Sequence, residues 1–294
     1  GREAALTFAT GFMTNLGTIG TLVGRGEVIL CDRENHASII DACRLSFGTV
    51  RKFRHNDTAD LERQLEATGD VGKFIVVDGV FSMSGDIVDL PGMLSVAKRY
   101  GARVMVDDAH SCGVLGENGR GTEEHHHLQG QTDLIMGTFS KSFASVGGFI
   151  AGPKEVVSFV KHQSRPFIFS AAASPAMVAS ALAALDIMER EPEHRERLWR
   201  NVRKVSTALR ELGFDTQGSR TPIIPVLIGD DLAALHFWKR LFERGIFTTP
   251  ALNPAVPEGR AIIRTSYTAA HSPEQLDRVI EAFALTGRET GVIA

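Results

Sequence analysis

The chain has few cysteines, no long hydrophobic run and no large excess of one charge. Its three cysteines, Cys31, Cys43 and Cys112, are an odd number in a chain of 294 residues, which favours reduced thiols in a cytoplasm over a disulfide framework. No apolar run approaches the ~20 residues that span a bilayer. The formal net charge is −3, with acids and bases mixed along the chain. These absences exclude a membrane-spanning protein and disfavour a nucleic-acid partner or a polybasic membrane patch, while leaving room for peripheral membrane contact.

Length and composition predict a protein of roughly two domains with a sizeable core, since 43% of the residues are hydrophobic. The chain does not open on methionine, and after Gly1 it runs at once into apolar sequence. We therefore expect it to start inside a longer protein.

The first two thirds of the chain alternate β-rich runs with helical patterns, which is typical of a parallel sheet covered by helices. The predicted strands are residues 27–31, 73–78, 102–107, 133–137 and 147–151. From about residue 174 the pattern changes to long helices and a few strands, at residues 222–228, 246–249 and 261–266. The sequence thus predicts an α/β domain over residues 1–173. A connecting helix and a smaller α+β domain follow over residues 174–294.

A lysine and an acid–histidine pair follow two of these predicted strands. Lys141 lies in the turn after strand 133–137, Asp107 ends strand 102–107, and His110 follows Asp107 by three residues. An amine can hold an aldehyde cofactor as a Schiff base, and a carboxylate can keep a pyridine nitrogen protonated. Asp107, His110 and Cys112 could alternatively bind a metal, but their spacing matches no standard zinc pattern. We predict a pyridoxal phosphate site and no metal.

Several residues near these strand ends suit a cofactor phosphate. Gly11 and Phe12 follow Thr10 at the start of a helical pattern, where a helix N-terminus favours an anion. Taken without the other residues, Thr10 and Gly11 are better explained as an ordinary N-cap. Thr138 and Ser140 flank the turn with hydroxyl groups.

Two further residues allow both a functional and a structural interpretation. His36 follows strand 27–31, where its imidazole could lie on an aromatic cofactor, or could cap a helix or face solvent. Arg264 stands inside the apolar run 261–266. Its guanidinium suits a substrate carboxylate, and a structural ion pair is the competing interpretation.

Five motifs together resemble the α-oxoamine synthases, which are pyridoxal-phosphate-dependent acyltransferases with the aspartate-aminotransferase-like fold. They are residues 35–38 (NHAS), 78–86 (DGVFSMSGD), 106–111 (VDDAHS), 116–121 (GENGRG) and 137–141 (GTFSK). They occur in the family's order and spacing, and the resemblance runs over nearly the whole chain. It implies an N-terminal segment that precedes this chain.

The resemblance also implies roles for the candidate residues. Lys141 would form the Schiff base and remove the substrate α proton, Asp107 would pair with the pyridinium nitrogen, His36 would stack on the ring and His110 would contact its hydroxyl. The phosphate would be bound by Gly11, Phe12, Thr138, Ser140 and, from the neighbouring subunit of a homodimer with shared active sites, Ser170. Phe12 stands where the family often has tyrosine, so its contribution would come from the backbone. Arg264 and Ser82 would bind the substrate.

The activity that the resemblance implies is the decarboxylating condensation of an amino acid with an acyl-CoA. Residues 137–149, 165–169 and 287–293 are most similar to members that join L-serine to a long-chain acyl-CoA. Members that use glycine with acetyl-CoA or alanine with pimeloyl-CoA are close competitors. A non-catalytic scaffolding subunit is the alternative of another class, and the presence of Lys141, Asp107, His36 and His110 argues against it.

Overall fold

The computed structural model describes residues 1–294 and divides the chain into two units. The first unit comprises Gly1–Phe81 and Val88–Glu191, and the second comprises Ser82–Ile87 and Pro192–Ala294. The first unit therefore continues beyond residue 173, where the sequence placed the domain boundary. The domain boundary at residue 173 stays a prediction.

A seven-stranded sheet with helices on its faces builds the first unit. Its strands are β1 (Ala4–Phe8), β2 (Val28–Asp32), β3 (Thr49–Phe53), β4 (Lys73–Asp78), β5 (Arg103–Asp107), β6 (Leu134–Thr138) and β7 (Gly148–Gly152). Its helices are α1 (Gly11–Leu22), α2 (Ala37–Leu45), α3 (Thr58–Glu66), α4 (Leu90–Arg99), α5 (Thr122–His125), α6 (Lys154–Gln163), α7 (Arg165–Ile168) and α8 (Pro175–Arg190).

The strand order of this sheet is β1-β7-β6-β5-β4-β2-β3. Neighbours from β6 to β3 pair in parallel, whereas β7 is antiparallel to both β1 and β6. The predicted α/β class with a mostly parallel sheet is confirmed. Parallel strands bring their carboxyl ends to one edge of the sheet, which is where ligands bind in such folds.

The central strands are apolar along their whole length because both faces of the sheet are covered. Along β4, Phe74 and Val76 pack into the core on one face, while Ile75 and Val77 pack into the core on the other. Successive side chains of a strand point to opposite faces, so a doubly covered strand is continuously hydrophobic. This explains why the sequence identified these strands readily.

The second unit packs helices α9 (Glu193–Glu211), α10 (Asp231–Glu243) and α11 (Pro273–Thr290) against a three-stranded antiparallel sheet. The sheet has the order β8-β10-β9, with β8 (Ile223–Gly229), β9 (Thr249–Ala251) and β10 (Ala261–Ser266). Its core joins one stripe of α9 to aromatic side chains of α10 and α11, namely Val202, Val205, Leu209, Phe237 and Phe283. The predicted α+β character of this part of the chain is confirmed.

Three strands differ from the sequence-based prediction. β1 and β3 were not predicted, and most residues of β3 are exposed, so this edge strand lacks a hydrophobic signal. The predicted strand 246–249 is wrong over most of its length. The amide of Ile246 hydrogen-bonds to the carbonyl of Leu241 at the end of α10, and the strand begins only at Thr249.

None of the helices combines the length and the apolar character that crossing a bilayer requires.

Candidate active site

A cavity of about 400 Å³ opens at the carboxyl edge of the large sheet. It is lined by the predicted residues Gly11, Phe12, His36, Asp107, His110, Thr138, Ser140 and Lys141. These residues are far apart in sequence, and the parallel strands β2, β4, β5 and β6 bring them together. Three residues that the sequence analysis did not assign a role, Asn15, Ser38 and Asp78, line the same cavity.

Two buried carboxylates stand side by side at this edge. Asp78 and Asp107 are paired residues on the parallel strands β4 and β5, and only 4% and 3% of their surfaces are exposed. Asp107 accepts hydrogen bonds from the amide of Ala109 (2.9 Å) and from Asn15 Nδ2 (2.8 Å). Burial raises the pKa of Asp78 well above its usual value, and the charge of Asp107 raises it further. Of the two, Asp107 is the one held by two N–H donors.

His36 is anchored by its backbone and by its ring. It caps α2, and its amide donates to Asp78 Oδ2 at 2.7 Å. Its Nδ1 lies 2.8 Å from Ser38 Oγ and 3.3 Å from the amide nitrogen of Ser38. Burial of the ring lowers the pKa of His36, Asp107 opposes this shift, and Lys141 adds to it. The predicted capping interpretation is correct, and the imidazole lines the cavity as well.

The N-terminus of α1 forms another wall of the cavity. Thr10 caps the helix by accepting from the amide of Met13 (3.1 Å), as an ordinary N-cap does. A Cβ atom on Gly11 would lie 2.7 Å from Thr138 Oγ1, so glycine permits this close approach. Thr138 Oγ1 is 2.8 Å from Ser140 Oγ. Backbone N–H groups and hydroxyls therefore meet here, as an anion site requires.

The loop that carries Lys141 is closed by its own backbone. The amide of Ala144 donates a hydrogen bond to the carbonyl of Lys141 (3.0 Å), and the amide of Ser145 donates one to the carbonyl of Phe139 (2.8 Å). Ala144 has φ of 48°, in the left-handed region that an alanine seldom adopts. Phe139 stacks on Phe149 of β7 with ring centroids 5.5 Å apart, which fixes the loop to the sheet.

Three predicted site residues do not line this cavity. Ser170 is exposed and follows α7. Arg264 lies on β10 of the second unit, where Nε donates to the carbonyl of Ser82 (2.5 Å) and Nη1 to Ser266 Oγ (3.0 Å). Both acceptors are neutral, so these contacts are hydrogen bonds rather than the alternative ion pair. Within the second unit, Arg264 and Ser82 are thus neighbours.

The residues of the cavity fit the chemical groups of pyridoxal phosphate. A phosphate needs N–H and hydroxyl donors, which Gly11, Thr138 and Ser140 offer. A pyridine nitrogen needs a carboxylate to stay protonated, which Asp107 offers. An aldehyde needs an amine to form a Schiff base, which Lys141 offers. All of them line one cavity of a size usual for small-molecule sites.

The three unassigned residues were hard to find for different reasons. Asn15 lies four residues after Gly11 on α1, so it shares that helix face, but a polar residue in a helix is usually solvent-exposed. Ser38 belongs to the NHAS motif, and its burial could not be read from sequence. Asp78 ends a predicted strand in the same way as Asp107, and this was a usable signal.

A second and larger cavity, of about 490 Å³, lies at the amino-terminal edge of the sheet. It is lined mainly by apolar side chains, including Leu22, Val28, Phe74, Leu134 and Val156. Its charged residues are Glu27, Lys73, Arg103 and Asp133, and its lining includes no histidine. His, Cys, Asp and Glu side chains form no group of three or more that could hold a metal ion.

Comparisons with known proteins agree with the prediction of a pyridoxal phosphate site. The family described as aminotransferase class I and II matches residues 1–283. The chain is 50% identical over 288 residues to serine palmitoyltransferase of Bacteriovorax stolpii, covering 97% of this chain and 68% of the relative. It is also 46% identical over 293 residues to 8-amino-7-oxononanoate synthase of Symbiobacterium thermophilum, covering 99% of this chain and 75% of the relative.

Solved structures of the same two kinds of enzyme resemble this chain. A serine palmitoyltransferase from S. paucimobilis with bound PLP–myriocin aldimine superposes with a TM-score of 0.96 at 40% identity, covering 99% of this chain and 74% of that one. An 8-amino-7-oxononanoate synthase from Francisella tularensis superposes with a TM-score of 0.85 at 26% identity, covering 98% of this chain and 83% of that one. The chain therefore belongs to the aminotransferase class I and II family, and within it is a pyridoxal-phosphate-dependent enzyme of the α-oxoamine synthase group.

Proposed function

We propose that this enzyme condenses L-serine with palmitoyl-CoA, releasing CoA and CO2 and forming 3-oxosphinganine, the first step of sphingolipid synthesis. The observation that carries the chemistry is the convergence of Lys141, Asp107, His36 and His110 on one cavity. The choice of serine and a long acyl chain is supported by the 50% identity to a serine palmitoyltransferase.

The cofactor would be held by residues that line the cavity. Lys141 would bind its aldehyde carbon, and Asp107 would face its ring nitrogen. Gly11, Phe12, Thr138 and Ser140 would bind its phosphate, with the Phe12 contact made by the backbone. His36 would pack on the ring, and His110 would contact the ring hydroxyl. When bound, pyridoxal phosphate supplies an electron sink for charge at the substrate α carbon.

The protein side chains transfer the substrate α proton and hold the cofactor ring in place. Lys141 must be a neutral amine to accept the substrate α proton. Asp107 is fixed by two N–H donors, so its carboxylate stays aimed at one position in the cavity. Burial raises the pKa of the nearby Asp78, which disfavours a second negative charge beside Asp107.

Substrate binding would use Arg264, whose guanidinium suits the carboxylate of the amino acid. Its Nε donates a hydrogen bond to the carbonyl of Ser82, and this bond orients the guanidinium plane. We further propose that the enzyme is a cytoplasmic homodimer in which Ser170 reaches the phosphate of the neighbouring subunit. The exposed position of Ser170 is compatible with that role.

The second candidate activity is that of 8-amino-7-oxononanoate synthase, which joins alanine to pimeloyl-CoA. It is favoured by the 46% identity to the enzyme of Symbiobacterium thermophilum. Glycine C-acetyltransferase, which uses glycine and acetyl-CoA, shares the motif around Asp78 and is the third candidate.

A substrate panel separates these candidates. The purified protein is loaded with pyridoxal phosphate and incubated with serine, alanine or glycine, each paired with palmitoyl-, pimeloyl- and acetyl-CoA. Release of free thiol is recorded, and Lys141→Ala provides the background of uncatalysed hydrolysis. We expect serine with palmitoyl-CoA to give the highest rate. A preference for alanine with pimeloyl-CoA, or for glycine with acetyl-CoA, would overturn the serine palmitoyltransferase assignment.

A further inference from the structure

A chain of hydrogen bonds joins the imidazole of His36 to the carboxylate of Asp107. His36 Nδ1 lies 2.8 Å from Ser38 Oγ. Ser38 Oγ accepts from Asn15 Nδ2 at 2.8 Å, and the same Nδ2 donates to Asp107 Oδ2 at 2.8 Å. Asn15 and Ser38 are 0% and 2% exposed. The two groups that flank the proposed cofactor site are therefore connected through two buried residues.

The direction of each hydrogen bond follows from what its partners can do. The carboxylate of Asp107 can only accept, so the amide of Asn15 must turn its nitrogen toward it. Both N–H groups of that nitrogen are then used, one on Asp107 and one on Ser38. The amide nitrogen of Ser38 lies 3.3 Å from His36 Nδ1 and can only donate. His36 Nδ1 is therefore an acceptor, and the ring proton is on Nε2.

We infer that Asn15 is a positioning residue that fixes His36 as the neutral Nε2–H imidazole, through Ser38, while it holds the Asp107 carboxylate. Asn15 donates to Ser38 Oγ, which leaves the Ser38 hydroxyl proton to point at His36 Nδ1. The Ser38 amide also donates to Nδ1, but at 3.3 Å it is the weaker of the two contacts, so the hydroxyl that Asn15 orients has the larger effect on the tautomer. Only the relevance of this arrangement to pyridoxal phosphate rests on the proposed function. The hydrogen-bond chain itself belongs to the protein alone.

The burial of Asn15 supports a specific role. Its Oδ1 is buried and has no hydrogen-bond partner, which is an unfavourable state for a polar atom. An apolar residue would avoid this cost but would leave Asp107 with one N–H donor fewer. An aspartate would add a third carboxylate beside Asp78 and Asp107. Asparagine is the uncharged residue of this shape that can donate to Asp107 and Ser38 at once.

The protonation of His36 depends on the charged groups around it. Asp107 favours the imidazolium, whereas burial and Lys141 oppose it. Asp78 accepts from the His36 backbone amide. Removing the Asn15 side chain leaves the Ser38 hydroxyl free to accept a hydrogen bond from a protonated Nδ1. It also leaves Asp107, whose charge raises the pKa of His36, with one N–H donor fewer. We therefore expect the pKa of His36 to rise in Asn15→Ala.

Nuclear magnetic resonance of histidine nitrogens tests the inference without the cofactor. The protein is labelled with ¹⁵N-histidine, and His36 is assigned from the signal lost in His36→Gln. In the wild type we expect the Nε2–H pattern. In Asn15→Ala we expect mixed tautomers and a raised pKa of His36. Ser38→Ala removes the bridge and should change the tautomer in the same way, so it decides the question if Asn15→Ala does not fold.

A matched control separates positioning from general stability. Thr18 lies on the same helix, is 0% exposed, and its hydroxyl has no hydrogen-bond partner. Thr18→Val changes a buried polar group outside the cavity and should leave the His36 signals unchanged. If Asn15→Ala and Ser38→Ala lower the melting temperature yet keep the wild-type tautomer and pKa of His36, the inference is wrong.

Cofactor binding provides a second readout. We expect Asn15→Ala to weaken pyridoxal phosphate binding by about tenfold, a change typical for the loss of one hydrogen bond to a charged group. Unchanged affinity in a variant with altered His36 signals would contradict the link to the cofactor. Failure of the wild type to bind pyridoxal phosphate would contradict the proposed function instead, and the resonance experiment would still test Asn15.

Discussion

Asp78 and Asp107 are paired residues at the carboxyl ends of neighbouring parallel strands, and both are almost fully buried. The two carboxylates have different surroundings. The carboxylate of Asp107 accepts two hydrogen bonds, from the amide of Ala109 and from Asn15 Nδ2, whereas that of Asp78 accepts one, from the amide of His36. Two like charges this close cannot both be ionised without cost. Burial raises the pKa of Asp78 well above its usual value, and the charge of Asp107 raises it further.

The first prediction is a pH-dependent stability change in Asp78→Asn. Because the pKa of Asp78 is raised in the folded protein, its contribution to stability is present at low pH and is lost as the pH rises through the folded pKa. Asparagine keeps an acceptor for the His36 amide but cannot ionise. The free energy of unfolding of Asp78→Asn minus that of the wild type should therefore increase with pH, by at most about 1.4 kcal/mol per pH unit.

Urea unfolding of the cofactor-free protein from pH 4 to pH 8 measures this difference. Asp70 is exposed, and Asp70→Asn serves as the control, with a difference from the wild type that changes little over the same range. A pH-independent difference for Asp78→Asn would show that Asp78 does not resist ionisation in the folded protein.

The second prediction concerns the approach of α1 to Thr138. In Gly11→Ala the new methyl group would lie 2.7 Å from Thr138 Oγ1 and 3.1 Å from its Cβ, so the anion site must distort. We expect the affinity for pyridoxal phosphate, measured by fluorescence titration, to fall at least about tenfold, or about 1.4 kcal/mol.

Gly20 offers a matched control on the same helix, because a Cβ there meets no atom within 4 Å. Gly20→Ala should leave the affinity unchanged and stabilise the helix by up to about 1 kcal/mol. Equal affinities for Gly11→Ala and the wild type would remove the N-terminus of α1 from the cofactor site.

The third prediction is that Ala144→Gly stabilises the Lys141 loop. Ala144 adopts φ of 48°, and the left-handed conformation costs an alanine about 1 kcal/mol. Glycine relieves this strain but increases the freedom of the unfolded chain, so we expect a net gain of about 0.5 kcal/mol in the free energy of unfolding.

The comparison is Ala183→Gly, at an exposed position within α8, which should cost up to about 1 kcal/mol. Chemical denaturation of both variants gives the two values. The same loss of stability at both positions would mean that the Ala144 backbone is not strained.

The fourth prediction concerns Arg264. Lysine keeps the charge but cannot offer the planar fork, and its ammonium cannot replace both the bond to Ser82 and a paired contact to a carboxylate. We expect Arg264→Lys to raise the KM for the amino acid about tenfold while kcat changes less. Arg260 precedes the same strand and is exposed, so Arg260→Lys is the control. An unchanged KM in Arg264→Lys would exclude substrate binding by this residue.

The sequence predicted the parts of the fold that carry a strong hydrophobic signal. The apolar runs of β4, β5 and β6 revealed the strand ends at Asp78 and Asp107, and placed the end of β6 at residue 137, one residue before Thr138. Edge strand β3 exposes most of its residues and gave no such signal. The register that places Asp78 beside Asp107 is a tertiary property that no local pattern contains.

The candidate site was predicted in the same uneven way. Asp107 stands out because burying a charge at a strand end is costly. Lys141 is exposed and stands out instead because it follows a predicted strand, in a turn with the hydroxyl groups of Thr138 and Ser140. Asn15 does not stand out, since its role depends on the distances from α1 to Ser38 and Asp107. The left-handed backbone of Ala144 could not be predicted either, because alanine carries no preference for it.

Covalent capture of the cofactor tests the central claim most directly. The protein is incubated with pyridoxal phosphate, reduced with borohydride, digested and analysed by mass spectrometry, with Lys141→Arg as the control. The account predicts a cofactor adduct on the peptide that contains Lys141, absent from the variant. An adduct confined to another lysine, or no adduct at all, would contradict it.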